Sequence, residues 1–126
     1  MGRMSDAASY FLRGFKELKL AEELASTGNT SESLRRYRLS FINLAKSYLL
    51  LNNKPLIGIS NPHYLASILY DLGHENVFKL VSSAEIEGSK NEEEAIKLYS
   101  GACKELLNLI RYRDAYLDTR NKTYLF

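Results

Sequence analysis

The chain has 126 residues, of which 45% are hydrophobic and 25% are charged, and its formal net charge is +2. These values are typical of one globular domain and exclude an intrinsically disordered chain. A single cysteine excludes an intrachain disulfide, and no apolar stretch approaches the ~20 residues of a membrane span. We therefore expect one soluble domain over residues 1–126 in a reducing, cytoplasmic compartment, with no signal peptide and no membrane partner.

The first half of the chain predicts a helical hairpin. Apolar residues recur at spacings of one, three or four over residues 5–26, which indicates one face of a helix, and Gly28 follows as a stop signal. Asn29 and Glu32 match a capping box for a second helix that ends near Leu51. Because the connection is so short, the two helices should be antiparallel neighbours. The residues expected to face inward are Ala7, Tyr10, Phe11, Gly14, Leu18, Ala21 and Ala25 in the first helix, and Leu34, Tyr37, Phe41, Leu44, Ala45, Tyr48 and Leu51 in the second.

Two short helices are predicted after a break at residues 52–60. Asn61 is a cap residue, and Pro62 occupies the first helical position, where proline is favoured. This third helix should end at Gly73, and a fourth should stop near Gly88.

A last, longer helix is predicted to begin at a second capping box, formed by Asn91 and Glu94, and to run to about Thr119. No segment shows the alternation of a strand, so the predicted fold is all-α: an up-and-down antiparallel bundle of four to five helices. Gly14 and Gly101 lie inside predicted helices. A close crossing of two helices would explain both, and chance tolerance is the alternative.

Charge is unevenly placed along the chain. Residues Ser33–Tyr70 contain five basic residues and no acid, whereas Asp71–Glu94 contains seven acids and two lysines, a net −5. Such a distribution favours an anionic partner or a second copy of the chain, and we expect a homodimer whose basic second helix lies near the partner's acidic region. The alternative is that both regions face solvent on a monomer.

The sequence contains no complete catalytic or metal signature. His63, His74 and Cys103 are isolated from one another, so no metal site and no cofactor are expected. A Cys103–histidine nucleophilic pair is possible in principle. However, Cys103 lies beside the apolar stripe, which favours a buried structural thiol.

Two arginine groups, each interleaved with tyrosines, are the candidate functional residues. Arginine and aromatic side chains together grip phosphates and stack on bases. The structural alternative is that Asp114 and Asp118 pair with arginines along the last helix, and that Arg113 serves packing. The candidate nucleic-acid-binding residues are Arg35, Arg36, Arg38, Arg111, Arg113, Arg120 and Tyr116.

Nearly the whole chain resembles the HEPN group of small helical bundles. The segments Ser9–Leu24, Gly28-Asn29 and Leu39–Leu50 resemble the opening hairpin of those domains. The segment after Pro62-His63 resembles their third helix, and the helix containing Arg111–Asp114 resembles their last.

This resemblance implies a dimer that acts on RNA or beside a nucleotidyltransferase, since HEPN domains include RNA-cleaving toxins and partners of such enzymes. In the ribonuclease members an arginine is followed, after four to six residues, by a histidine. Here no histidine follows Arg111, Arg113 or Arg120, so the active site is not carried over. We expect a non-catalytic binding module for RNA, a nucleotide or a nucleotidyltransferase. The alternatives are a diverged ribonuclease using Arg113, Tyr116 or Arg120, and a homodimerisation module without a small ligand.

Overall fold

The computed structural model describes the backbone of residues 3–56 and 61–121 and the side chains of residues 6–56 and 61–111. Within these ranges the chain forms five α-helices and no strand, which confirms the predicted all-α bundle. The helices are α1 (Arg3–Ser26), α2 (Thr30–Leu51), α3 (Pro62–Asp71), α4 (Glu75–Glu87) and α5 (Glu92–Asn121).

Helix α2 lies at the centre of the bundle. It packs against α1 on one side and against α5 and α3 on others, while α4 bridges α5 and α3. The α1–α2 hairpin is antiparallel, as predicted. Helices α2 and α5 run parallel, because Ser31 of α2 contacts Glu92 of α5 and Tyr37 contacts Cys103 further along both helices. No helix in the described ranges is long and apolar enough to cross a membrane.

A ladder of buried serines fixes the register of the α1–α2 hairpin. Each serine donates its hydroxyl hydrogen at 2.8 Å to a backbone carbonyl of α1 and so satisfies a buried polar group. Successive rungs are seven residues apart on both helices, close to two turns, so all rungs lie on one face. The rungs are Ser33 with Ala21, Ser40 with Gly14, and Ser47 with Ala7.

The two interior glycines have different explanations. A Cβ atom on Gly14 would lie 2.7 Å from Cγ of Leu44 and 3.1 Å from its backbone nitrogen, so α1 and α2 cross closely there. A Cβ atom on Gly101 would meet only Leu80 carbons, at 3.5 and 3.9 Å, which is ordinary contact. The predicted close crossing is therefore confirmed at Gly14, and Gly101 is a case of tolerance.

The predicted helix starts are confirmed in part. Asn61 accepts hydrogen bonds from the backbone of His63 and Tyr64, at 2.8 and 3.1 Å, and caps α3. Asn91 likewise accepts from the backbone of Glu94 at 3.1 Å, but its own N–H is bonded to the Glu87 carbonyl, which leaves no donor for a reciprocal bond from Glu94.

The capping box predicted at the start of α2 is wrong. The Asn29 side chain makes no cap hydrogen bond and donates instead to the hydroxyl of Thr27 at 3.1 Å. Glu32 is drawn to the guanidinium groups of Arg35 and Arg36, because charged donors attract a carboxylate more strongly than a backbone N–H does.

The core agrees with the predicted stripes except at the end of α1. Ala25 is exposed because α1 has passed its contact with α2 by that point. Leu49, Ala66 and Leu107 lie outside the predicted stripes but are also buried. Leu117, which continues the apolar spacing of the last helix, lies outside the described side chains.

Candidate ligand-binding cleft

The predicted arginines of α2 are held by carboxylates of the same chain. Arg35 donates to Glu32 at 2.8 Å, and Arg36 donates to Glu32 at 3.0 Å and to Glu17 of α1 at 3.1 Å. The hydrogen bond from Arg35 is the largest cause that holds the pKa of Glu32 below its ordinary value. The acid-free segment seen in the sequence is therefore neutralised in part by acids from outside it.

Arg38 belongs to a polar cluster that joins three helices. Its guanidinium donates to both carboxylate oxygens of Glu85 in α4, at 3.0 and 3.1 Å, and the hydroxyl of Tyr99 in α5 donates to the same carboxylate. Burial is the main cause that raises the pKa of the Tyr99 phenol, followed by its contact with Glu85, so the phenol stays protonated as a donor. The cluster borders a cleft of about 330 Å³, where the Glu85 carboxylate is already bonded to both Arg38 and Tyr99.

Of the predicted arginine group on the last helix, only the side chain of Arg111 lies within the described residues. Arg111 is exposed on α5. The side chains of Arg113, Tyr116 and Arg120 lie outside the described residues, as do those of Asp114 and Asp118. Their roles therefore stay predictions.

A cleft between the start of α1 and the end of α2 combines cationic and aromatic side chains. Its volume is about 590 Å³. The ring of Tyr10 forms part of its wall, and two cations approach that ring: Arg13, with Cζ 5.4 Å from the ring centroid, and Lys46, with Nζ at 5.4 Å. We call Tyr10, Arg13 and Lys46 the basic cleft group. The residues that line the cleft are Asp6, Ser9, Tyr10, Arg13, Leu50, Pro55 and Leu56.

The two cations of the basic cleft group come from different helices but meet at one ring. A cation within about 6 Å of an aromatic centroid is attracted to the ring and loses freedom to move away. Arg13 is exposed and makes no ion pair with any residue in the described ranges, unlike Arg35, Arg36 and Arg38. Its guanidinium donors are thus oriented yet available, whereas those of the predicted α2 arginines are taken in part by carboxylates.

Helical periodicity predicted only a core position for Tyr10 in α1, and no pattern in the sequence indicated a role for Arg13. A usable signal was the spacing Tyr10-x-x-Arg13, which puts both side chains on one face of a helix. The contribution of Lys46 depends on the antiparallel register of α1 and α2, which the serine ladder sets.

The two histidines take part in aromatic contacts in different places. His74 Nε2 lies 2.9 Å from the Tyr48 hydroxyl, and their rings meet edge to face. His63 and Tyr70 both contact Phe78, with ring centroids 5.4 and 5.2 Å from it. We call His63, Tyr70 and Phe78 the aromatic patch.

Cys103 is a buried structural thiol, as the sequence favoured. It is fully buried, its sulfur lies 3.8 Å from the Tyr37 carbonyl oxygen, and burial raises its pKa to about 12. A thiol so rarely ionised is a poor nucleophile. Across the described part of the chain, no group of three or more His, Cys, Asp or Glu side chains is arranged to hold a metal ion.

Comparison with models of protein families, with curated proteins and with solved structures finds no match to this chain.

Proposed function

We propose that this chain is a non-catalytic, HEPN-like binding module that holds a phosphate-bearing ligand, RNA or a nucleotide, in the cleft between α1 and α2. The observation that carries the proposal is the basic cleft group: Tyr10 and Arg13 line a cleft of about 590 Å³, and Arg13 and Lys46 both lie 5.4 Å from the centroid of the Tyr10 ring.

The chemistry of the cleft favours a ligand with an anionic part and a less polar part. Arginine offers a planar set of donors that matches phosphate oxygens, and lysine adds a second positive charge. Leu50, Pro55 and Leu56 supply an apolar wall beside these cations. Asp6 and Ser9, also in the lining, are suited to accept hydrogen bonds from ligand hydroxyl or amino groups.

The other predicted arginines are secondary in this proposal. Carboxylates of the same chain offset the charge of Arg35, Arg36 and Arg38 and take part of their donors, so these arginines attract a phosphate less strongly. Arg111, Arg113, Arg120 and Tyr116 remain candidate RNA contacts on the last helix.

The proposal excludes catalysis because no arginine of the last helix is followed by a histidine to act as general acid or base. A diverged ribonuclease using Arg113, Tyr116 or Arg120 is the alternative. RNA cleavage by the wild-type protein that is lost in a folded Arg113→Ala variant would favour that enzyme over a binding module.

The proposed assembly is a homodimer, with a nucleotidyltransferase as a further candidate partner. One pair, Arg38 with Glu85, already joins the basic and acidic regions within a single chain. Charge pairing between copies would therefore rely on other members of the two regions. A monomer mass by light scattering at micromolar concentration and low salt would contradict the dimer.

The test of the binding function compares two arginines that each contribute one exposed charge. Fluorescence anisotropy would measure binding of a labelled 12-nucleotide RNA to the wild type, Arg13→Ala and Arg35→Ala. We expect Arg13→Ala to weaken binding about tenfold, or about 1.4 kcal/mol, and to reduce the salt slope by about 0.7. Arg35→Ala, the matched control, should bind nearly as the wild type does, because Glu32 already offsets the charge of Arg35. Equal losses in both variants would contradict the assignment to this cleft, and no binding by the wild type would refute the function.

A further inference from the structure

The aromatic patch is an unusual surface for this chain. Tyr70 is 49% exposed, and it is one of only three large hydrophobic residues in the described ranges that are exposed, with Leu12 and Ile86. Leu12 and Ile86 are aliphatic, so Tyr70 is the aromatic member of this set. Tyr70 packs against Phe78, and the exposed His63 contacts the same ring.

The geometry points to the aromatic patch as a stacking site for unpaired bases of an RNA strand whose phosphates are held at the basic cleft group. This inference rests on the proposed function and adds that the ligand is single-stranded RNA.

The ring arrangement suits flat ligands. Phe78 is half-buried and contacts both other rings, with interplanar angles of 55° to His63 and 65° to Tyr70. The rings of His63 and Tyr70 do not stack flat on Phe78. Each is held at an angle to Phe78 while the side chain itself stays exposed to solvent. Exposed aromatic rings stack on unpaired bases of any sequence, whereas bases inside a duplex present no free face.

The charges around the patch favour base contacts over phosphate contacts. Asp71 follows Tyr70 directly and is exposed, and Glu75 is paired with Lys79 at 3.5 Å. This surface therefore offers no net positive charge to a phosphate. Phosphate contacts would come from the cleft, and stacking would come from the patch.

One short strand can reach both places. Leu56 lines the cleft, and His63 is seven residues further along the chain. A fully extended chain of that length spans at most about 25 Å, and the step from His63 to Tyr70 along α3 adds about 10 Å. About ten nucleotides cover this total at the roughly 3.4 Å per nucleotide of a helical strand.

The patch is less suited to a second copy of the chain. A stable protein interface buries roughly 800 Å² on each partner around several apolar anchors. The patch contains a single large exposed hydrophobic residue, and the other two described for this chain lie outside the patch, Leu12 on α1 and Ile86 near the end of α4.

The experiment compares a 12-nucleotide single strand with its duplex, using fluorescence anisotropy and the variants Tyr70→Ala, Tyr70→Phe and Ile86→Ala. We expect the wild type to prefer the single strand, and Tyr70→Ala to weaken single-strand binding about tenfold. Its salt slope should not change, because no phosphate contact is removed. Tyr70→Phe keeps the ring and should bind as the wild type does. Ile86→Ala, which removes an exposed apolar side chain elsewhere on α4, should have no effect.

The outcomes separate this inference from the proposed function. Binding that depends on Arg13 but is unchanged in Tyr70→Ala would overturn the stacking site and leave the function intact. Equal affinity for duplex and single strand would do the same. Loss of a dimer in Tyr70→Ala with unchanged RNA affinity would assign the patch to a second copy instead. No RNA binding by the wild type would overturn both proposals.

Discussion

Gly14 lies at the tightest contact between α1 and α2, and changing it to alanine tests that contact. Alanine favours a helix by about 1 kcal/mol over glycine. Here its Cβ would lie 2.7 and 2.8 Å from the fully buried Leu44 side chain, and overpacking costs about 1–3 kcal/mol. We expect Gly14→Ala to lower the free energy of unfolding, measured by urea denaturation.

Gly101→Ala is the matched control for that variant. Its Cβ would make only ordinary contact with Leu80, so the helix preference should prevail and stabilise the protein by about 0.5–1 kcal/mol. Stabilisation by both substitutions would contradict the close crossing at Gly14.

The buried thiol of Cys103 should make stability fall at alkaline pH. Burial raises its pKa in the folded protein from 9.0 to about 12. Above about pH 9 the unfolded chain releases this proton while the folded chain retains it. The stabilisation is thus complete below pH 9 and is lost as pH rises towards 12.

Urea denaturation under reducing conditions at pH 7, 9 and 10.5 would measure this loss. Tyr37 and Tyr99 also have raised pKa values, for which burial is the main cause, so part of the alkaline loss does not involve the thiol. We expect Cys103→Ala to be less stable at pH 7 but to lose less stability between pH 9 and 10.5. Parallel curves for the two proteins would show that the thiol titrates normally.

At the level of residues, the sequence predicted apolar burial well and polar pairing poorly. Phe41 and Leu106 could be placed in the core because helical periodicity reports burial directly. The serine ladder was missed although Ser33, Ser40 and Ser47 repeat every seven residues, because serine is usually a surface residue and its partners here are backbone carbonyls.

At the level of elements, the asparagines before α2 and α3 provide a paired test of helix capping. Asn61 accepts two backbone hydrogen bonds, whereas Asn29 accepts none at the start of α2. We expect Asn61→Ala to lower the free energy of unfolding by about 1 kcal/mol, the usual cost of a lost cap. Asn29→Ala should cost less, since it removes only a bond to Thr27. Equal effects in thermal or urea unfolding would mean that the two caps are equivalent.

Helix boundaries were predictable because their signals are local. Asn61-Pro62 preceded α3, and Gly28 and Gly73 followed helices with φ angles of +86° and +98°, a region that favours glycine. The failed cap at Asn29 has a tertiary cause as well as a local one. Glu32 forms an ion pair with Arg36, and Arg36 forms a second ion pair with Glu17 of α1. Glu17 is distant in sequence, so no local pattern around Asn29 includes it.

At the level of the whole molecule, the candidate site could not be read from the sequence, because it is assembled across helices. Tyr10 and Lys46 are 36 residues apart and come together only in the folded hairpin. The charge count likewise could not indicate that Arg38 would find Glu85 in its own chain. The distribution of charge along a sequence therefore does not give the distribution of charge on the surface, which depends on which charged side chains are neighbours in the folded chain.

The location of bound RNA is the sharpest test of the proposed cleft. Nuclear magnetic resonance of the nitrogen-15-labelled protein, titrated with the 12-nucleotide single strand, would follow each backbone amide in turn. We predict that shifts begin at Ser9, Tyr10, Arg13 and Leu56, around the cleft, and saturate with one affinity. Shifts confined to the start of α2, around Arg35, or no shifts at saturating RNA, would contradict the account.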